Sequence, residues 1–272
     1  MRRDVVLITG ASRGIGAATA KLFASHNYDV VICYNKEEEL AKQVEKEIIN
    51  EYHVETLTAC VDISNEESVK SLINQVIHRF SKIDVLINNA GIAIDTLYQD
   101  KSVENFRKTL DINLIGTFLM SKYVGDIMYE NKKGSIINLT STNGLHQYFP
   151  MSLDYDSSKA GIISLTHNLA VQYAPHVRVN AVAPGWVATE NEMKELFGVN
   201  VIDKNSALVE DEVLREYYID YLKNMMSLSR AYQYRMQSGL KVAYSGVEGA
   251  FAHIAAGRIF TEGNCVSFGD FK

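Results

Sequence analysis

The sequence predicts a doubly wound α/β domain, a mainly parallel sheet covered by helices on both faces. Three observations lead there. Six short apolar runs rich in β-branched residues, at 5–8, 29–33, 56–61, 85–87, 135–139 and 177–182, alternate with longer segments of helical periodicity. Near-continuous Val, Ile and Leu, clearest at 5–8, 30–32 and 85–87, is the composition of strands buried on both faces. Directly after the first run comes Thr9-Gly10-Ala11-Ser12-Arg13-Gly14-Ile15-Gly16, which opens into a helix.

The helices are expected at 15–23, 37–49, 66–80, 103–129 and 154–173. In the second of these, Lys42 follows Glu38 at i,i+4, which marks a solvated face. All three prolines, Pro150, Pro175 and Pro184, bracket the last of these helices and the strand after it, so they punctuate the chain and do not divide it. Beyond Thr189 the character changes. Residues 190–236 are charged and rich in Tyr and Met, with Val213, Leu214, Tyr217, Tyr218, Tyr221, Leu222 and Met225 at helical spacing. They read as helices covering a substrate or as packing core. A single domain over 1–272 is expected, with an atypical tail at 244–272.

The 272 residues are 47% hydrophobic and 22% charged, an ordinary globular composition with material for one large core. Lys and Arg total 27 against 33 for Asp and Glu, a formal charge of -6, which argues against a nucleic acid or an anionic membrane as the main partner. No apolar run approaches the ~20 residues that span a bilayer, and the short Met1-Arg2-Arg3-Asp4 start does not read as a signal peptide. A cytoplasmic protein is expected. Cys33, Cys60 and Cys265 are odd in number and lack any pairing that marks a disulfide framework or zinc, so buried inert thiols and no metal are expected.

Tyr155 and Lys159 are four apart on a helix and share a face. A nearby ammonium favours phenolate and brings the tyrosine toward the working range of a general acid, and Ser141, fourteen residues upstream, can hold a substrate oxygen. The glycine loop lets the backbone turn sharply and approach a pyrophosphate, whose charge meets the amides of the helix N-terminus. At the end of the second strand stands Cys33-Tyr34-Asn35-Lys36, with no carboxylate to hold the ribose hydroxyls of NAD. Arg13 and Lys36 would tolerate a 2′-phosphate, so NADP is the expected cofactor; both can also be read as solvated surface charges.

These residues resemble the short-chain dehydrogenase/reductase family in its single-domain form. Thr9 to Gly16 resembles its cofactor loop, Asp62 its adenine-binding acid, Asn88-Asn89-Ala90-Gly91 its N-N-A-G motif, and Pro184-Gly185 through Thr189 its nicotinamide-side loop. Asn113, Ser141, Tyr155 and Lys159 match its catalytic tetrad. Thr140 and Thr142 are neighbouring hydroxyls, and Thr142 has the commoner spacing of thirteen to the tyrosine; Ser141 aligns better with the preceding strand and Gly144.

The resemblance implies a Rossmann sheet of about seven strands. It implies cofactor contacts at Gly10, Ser12, Arg13, Gly14, Ile15, Gly16, Asn35, Asp62, Ile63, Asn89, Ala90, Gly91, Tyr155, Lys159, Pro184, Gly185, Val187 and Thr189. It implies that Tyr155 protonates a carbonyl oxygen that Ser141 holds, that Lys159 lowers the phenol pKa and grips the ribose, and that Asn113 holds a water linking Lys159 to solvent. The helices at 103–129 and 154–173 would pair across a dimer interface within a homotetramer.

Within the family, the stretch from Tyr155 to Thr166 and Arg178-Val179-Asn180-Ala181-Val182-Ala183-Pro184-Gly185-Trp186 look most like 3-oxoacyl-[acyl-carrier-protein] reductases of fatty-acid biosynthesis. The expected substrate is then an acyl-carrier-protein thioester, with a basic patch for the acidic carrier beginning at Lys132 and Lys133. A sugar, polyol or other small carbonyl substrate is the alternative, and a non-catalytic NADP-binding regulator is a third reading. The tail departs from the family: no proline follows Pro184, and the usual T-G-x-x-x-x-V-D-G-G ending is replaced by Thr261-Glu262-Gly263-Asn264-Cys265-Val266-Ser267-Phe268-Gly269-Asp270.

Overall fold

A computed structural model describes residues 3–145, 148–185, 187, 189 and 211–220, and the backbone of 240–245 and 263–268. The chain falls into two compact units, Met1–Gly185 with Thr189–Asn191, and Trp186–Ala188 with Glu192–Lys272.

In the first unit the order is β1 (Val5–Ile8), α1 (Gly14–Ser25), β2 (Asp29–Tyr34), α2 (Glu38–Tyr52), β3 (Thr56–Cys60), α3 (Glu66–Phe80), β4 (Val85–Asn88), α4 (Val103–Leu110), α5 (Gly116–Glu130), β5 (Gly134–Leu139), α6 (Leu153–Tyr173) and β6 (Val177–Val182). The six strands form one parallel sheet in the order β3-β2-β1-β4-β5-β6. Chain direction reverses its progress across the sheet between β1 and β4, the switch point where crevices open at the carboxyl ends of strands.

The unbroken apolar runs have a plain cause. Along β1, Val5 and Leu7 pack into a core with α3, α5 and α6, while Val6 and Ile8 pack into a second core with α1 and α2. Strand β2 divides its residues the same way, Val31 and Cys33 to the first core, Val30 and Ile32 to the second. Alternation therefore serves two apolar layers and leaves no polar face. On α1 the second core is lined by Ala17, Ala20 and Ala24, whose small side chains bring the helix close to the sheet.

Helices α3 and α4 are capped by Asn65 and Ser102, whose side chains accept from Ser68 N and Asn105 N. The helix expected over 103–129 is interrupted by a π-helical turn at Asp111–Ile115, between α4 and α5. Periodicity does not signal such a turn, and turns of this kind gather at functional sites.

In the second unit a helix covers 212–220, and β7 (Leu240–Ser245) pairs in parallel with β8 (Gly263–Phe268) as a two-stranded sheet. Among the described residues the expected parallel sheet of about seven strands has six, and these two pair in a sheet of their own. The rest of the 190–236 segment lies outside the described residues.

Two sequence expectations are corrected. Cys60 is exposed, while Cys33 is buried and its thiol is pushed up by desolvation. Lys132 and Lys133 immediately precede β5, at the amino ends of the strands. Lys133 is ion-paired there with Asp4 and Asp84, at 3.2 Å from each. A basic patch beginning at these lysines is therefore at the opposite end of the sheet from Ser141, which follows the carboxyl end of β5.

Candidate active site

The glycine loop leaves β1 and crosses the switch point. Gly10 and Gly14 have φ of 62° and 56°, the left-handed region open to glycine at least cost. Gly16 is required for space: a Cβ there would stand 2.2 Å from the Gly10 carbonyl oxygen and 2.6 Å from Asn89 Nδ2. Gly16→Ala is therefore expected to cost at least about 2 kcal/mol by overpacking and to weaken binding of a nicotinamide dinucleotide; urea denaturation and a fluorescence titration check both.

Unlike α3 and α4, helix α1 has no side-chain cap at Arg13 and no acidic residue in its first turn. Its leading amides are the donors that a phosphate satisfies. The residues present thus fit a dinucleotide. Arg13 is exposed beside these amides, and Ser12 and Ile15 are half-buried. A Cβ on Gly14 would lie 3.4 Å from Thr189 Cγ2, which puts Thr189 beside the loop.

The N-N-A-G segment locks that loop in place. Asn89 Nδ2 donates to the carbonyls of Thr9 and Gly10, each at 2.9 Å, and Thr9 Oγ1 accepts from Asn89 N and Ala90 N at 3.0 Å. Asn88 instead points into the sheet, donating to Asn138 Oδ1 and Ser121 Oγ. On the adenosine side, Asn35 and Asp62 follow the ends of β2 and β3, and both are exposed. Asn35 Nδ2 donates to Val61 O at 3.3 Å, and Asp62 Oδ1 accepts from Ser64 N and Oγ. Ile63 is buried against Gly116 of α5.

Tyr155 and Lys159 face each other one turn apart on α6, with the ammonium 5.4 Å from the phenol ring centre. Lys159 is 4% exposed and donates to Leu139 O at 2.8 Å, two residues before Ser141. Burial pushes its pKa down to about 8. Asn113 lies in the π turn, where its Oδ1 accepts from Ile92 N and its Nδ2 donates to Ile92 O and Ser158 Oγ. Gly91 closes the group: a Cβ there would meet Asn113 Oδ1 at 3.2 Å and Lys159 Nζ at 3.5 Å.

Ser141 caps a 3-10 turn at Thr142–Gly144, its Oγ accepting from Asn143 N at 3.2 Å. Thr140, the neighbouring hydroxyl, is buried and its Oγ1 accepts from Ser141 N. Thr142 N donates to Pro184 O at 3.0 Å, which ties the turn to the segment holding Gly185. Val187 groups with the second unit.

The sequence profile of the short chain dehydrogenase family matches residues 4–197. The chain belongs to this family. It is an enzyme of the short-chain dehydrogenase type, an oxidoreductase. It is 42% identical over 188 residues to a 3-oxoacyl-[acyl-carrier-protein] reductase of Synechocystis sp., covering 69% of this chain and 75% of that protein. It is 34% identical over 192 residues to glucose 1-dehydrogenase 2 of Bacillus subtilis, covering 69% and 73%. Among solved structures, ElxO with NADP bound superposes with a TM-score of 0.68 at 33% identity, over 76% of this chain and 83% of that one.

Two features of this short-chain dehydrogenase's site escape the sequence motifs. Asp154, wholly buried next to Tyr155, pairs with Lys101 at 2.8 Å and accepts from Thr109 Oγ1 at 2.7 Å, while Lys101 also donates to Ile94 O. Burial alone would raise this carboxyl's pKa; Lys101 and Thr109 outweigh it and hold it low. Asp156, on the other side of Tyr155, gathers three donors from the segment after Ser141. Two acids flanking a tyrosine are the only sequence signal, and the partners of Asp154 lie too far along the chain for spacing to find them. Among the described residues no helix is long and apolar enough to cross a membrane, and no cluster of His, Cys, Asp and Glu could hold a metal ion.

Proposed function

We propose that this enzyme uses NADPH to reduce the 3-oxo group of an acyl thioester carried by acyl-carrier protein to the 3-hydroxy product. The observation that carries the reading is the buried Lys159 under the ring of Tyr155, set beside Ser141 at the carboxyl ends of the strands. A bound nicotinamide supplies hydride to the carbonyl carbon. Ser141 Oγ donates to the substrate oxygen and Tyr155 Oη gives it the proton, while Lys159, when protonated, stabilises the phenolate left behind. Asn113's side chain is already engaged with Ile92 and Ser158, so a water on the path from Lys159 to solvent would fall to its backbone carbonyl, which also accepts from Thr117 Oγ1.

Likeness to the Synechocystis reductase supports the thioester, and likeness to the Bacillus glucose dehydrogenase supports the second reading, a sugar or polyol substrate. The pairing of Lys133 with Asp4 and Asp84 removes one argument for a carrier patch at this chain's own site. Exposed Phe118 on α5 and Val171 on α6 favour the proposed homotetramer, in which these helices would be covered.

Initial rates with acetoacetyl-CoA, with NADPH and NADH side by side, test substrate class and cofactor together. NADPH oxidation supports the thioester; turnover confined to sugars or polyols would replace it with the second reading. Arg13→Ala is expected to lower kcat/KM with NADPH about tenfold, the scale of one charge-assisted hydrogen bond, and to change it less than about twofold with NADH. Equal losses with both cofactors would remove the 2′-phosphate from the proposal.

A further inference from the structure

We propose that Asp156 is a positioning residue that keeps the hydroxyl of Ser141 in register with Tyr155. The proposal rests on the reading that these two residues act on a carbonyl. Asp156 is buried, 9% exposed, in the first turns of α6, where a solvated side chain would be the default for an acid. Its Oδ1 accepts from Asn143 Nδ2 and Ser152 Oγ, both at 2.8 Å, and its Oδ2 accepts from Phe149 N at 3.0 Å. One carboxylate thus satisfies donors from the start, middle and end of the connection between β5 and α6.

Asn143 carries this hold to the reacting group. Its side chain is anchored on Asp156, and its backbone N–H donates to Ser141 Oγ. The same turn is seated on α6 by Gly144, where a Cβ would lie 2.7 Å from the Lys159 carbonyl carbon. Ser141, Tyr155 and Lys159 are therefore referenced to one helix, with Asp156 as the polar link. A carboxylate suits the task because it only accepts, and three donors converge on it; an amide in its place would set a donor against at least one of them.

The test compares Asp156→Ala, Asn143→Ala and the double variant on a carbonyl substrate the wild-type enzyme reduces. Asp156→Ala is expected to lower kcat about tenfold through misplacement of the Ser141 hydroxyl, with NADPH affinity within about twofold of wild type because the glycine loop is untouched. Asn143→Ala should lose a similar factor, and the double variant should be no worse than Asp156→Ala alone, since both break one chain of bonds. Hydrogen exchange at the Phe149 and Asn143 amides should quicken in Asp156→Ala while β1 is unchanged. Additive losses, or quickened exchange with kcat unchanged, would overturn the positioning role and leave a structural staple. Absence of turnover in the wild-type enzyme itself would overturn the functional reading first, and this role with it.

Discussion

Tyr155→Phe is expected to lower carbonyl reduction by at least ~10²-fold, the contribution of a positioned general acid, while leaving NADPH affinity and thermal stability close to wild type. The substitution removes one oxygen and keeps the ring against which Lys159 is set, 5.4 Å from its centre. Tyr155 is half-buried on a helix whose apolar packing is carried by Ile162, Leu169 and Tyr173, and the phenylalanine ring keeps the space of the phenol. The loss should appear in kcat, because the proton moves only in the transition state and the ground-state complex keeps its other contacts. Stopped-flow oxidation of NADPH separates the chemical step from product release. Turnover equal to wild type would remove Tyr155 from the proton path and with it the functional reading.

Much of this architecture was legible in the sequence because the central strands β1, β2 and β4 are sandwiched between two apolar layers, so their runs are continuous and their limits are sharp. The glycine loop was legible for a related reason: Gly10, Gly14 and Gly16 are dictated by local backbone geometry and by one close contact, which a motif captures. What was hidden depends on partners distant along the chain. Asp154 reaches Lys101 and Thr109, 53 and 45 residues away, and nothing in its own neighbourhood distinguishes it from a solvated helix acid. The π turn around Asn113 was hidden because one extra residue in a turn leaves an apolar pattern almost unchanged. The basic patch expected at Lys132 and Lys133 was misplaced because a resemblance along the chain says nothing of strand direction; a residue preceding a parallel strand lies at the end of the sheet away from the crevice.

Lys159→Met is expected to abolish useful reduction while making the cofactor-free protein more stable. At neutral pH the enzyme holds an ammonium in a buried site, and its pKa falls from 10.5 to about 8. A depression of that size corresponds to roughly 3 kcal/mol of cost for keeping the charged form folded at pH 7. Methionine fills similar space without charge, giving up the bond to Leu139 O, worth about 1 kcal/mol. The net gain is about 2 kcal/mol, a trade of stability for function at a working site. The sign of the pH dependence follows. Between pH 8 and 10.5 the unfolded chain keeps the proton that the folded chain has released, so wild-type stability gains from this group as pH rises. The advantage of Lys159→Met should therefore be full below pH 8, shrink above it, pass through zero before 10.5 and reverse there by about the 1 kcal/mol of the bond to Leu139 O, measured as the difference between urea midpoints of the two proteins. A variant less stable than wild type at neutral pH, by a margin that ignores pH, would mean that Lys159 is held for packing and not as the strained partner of Tyr155.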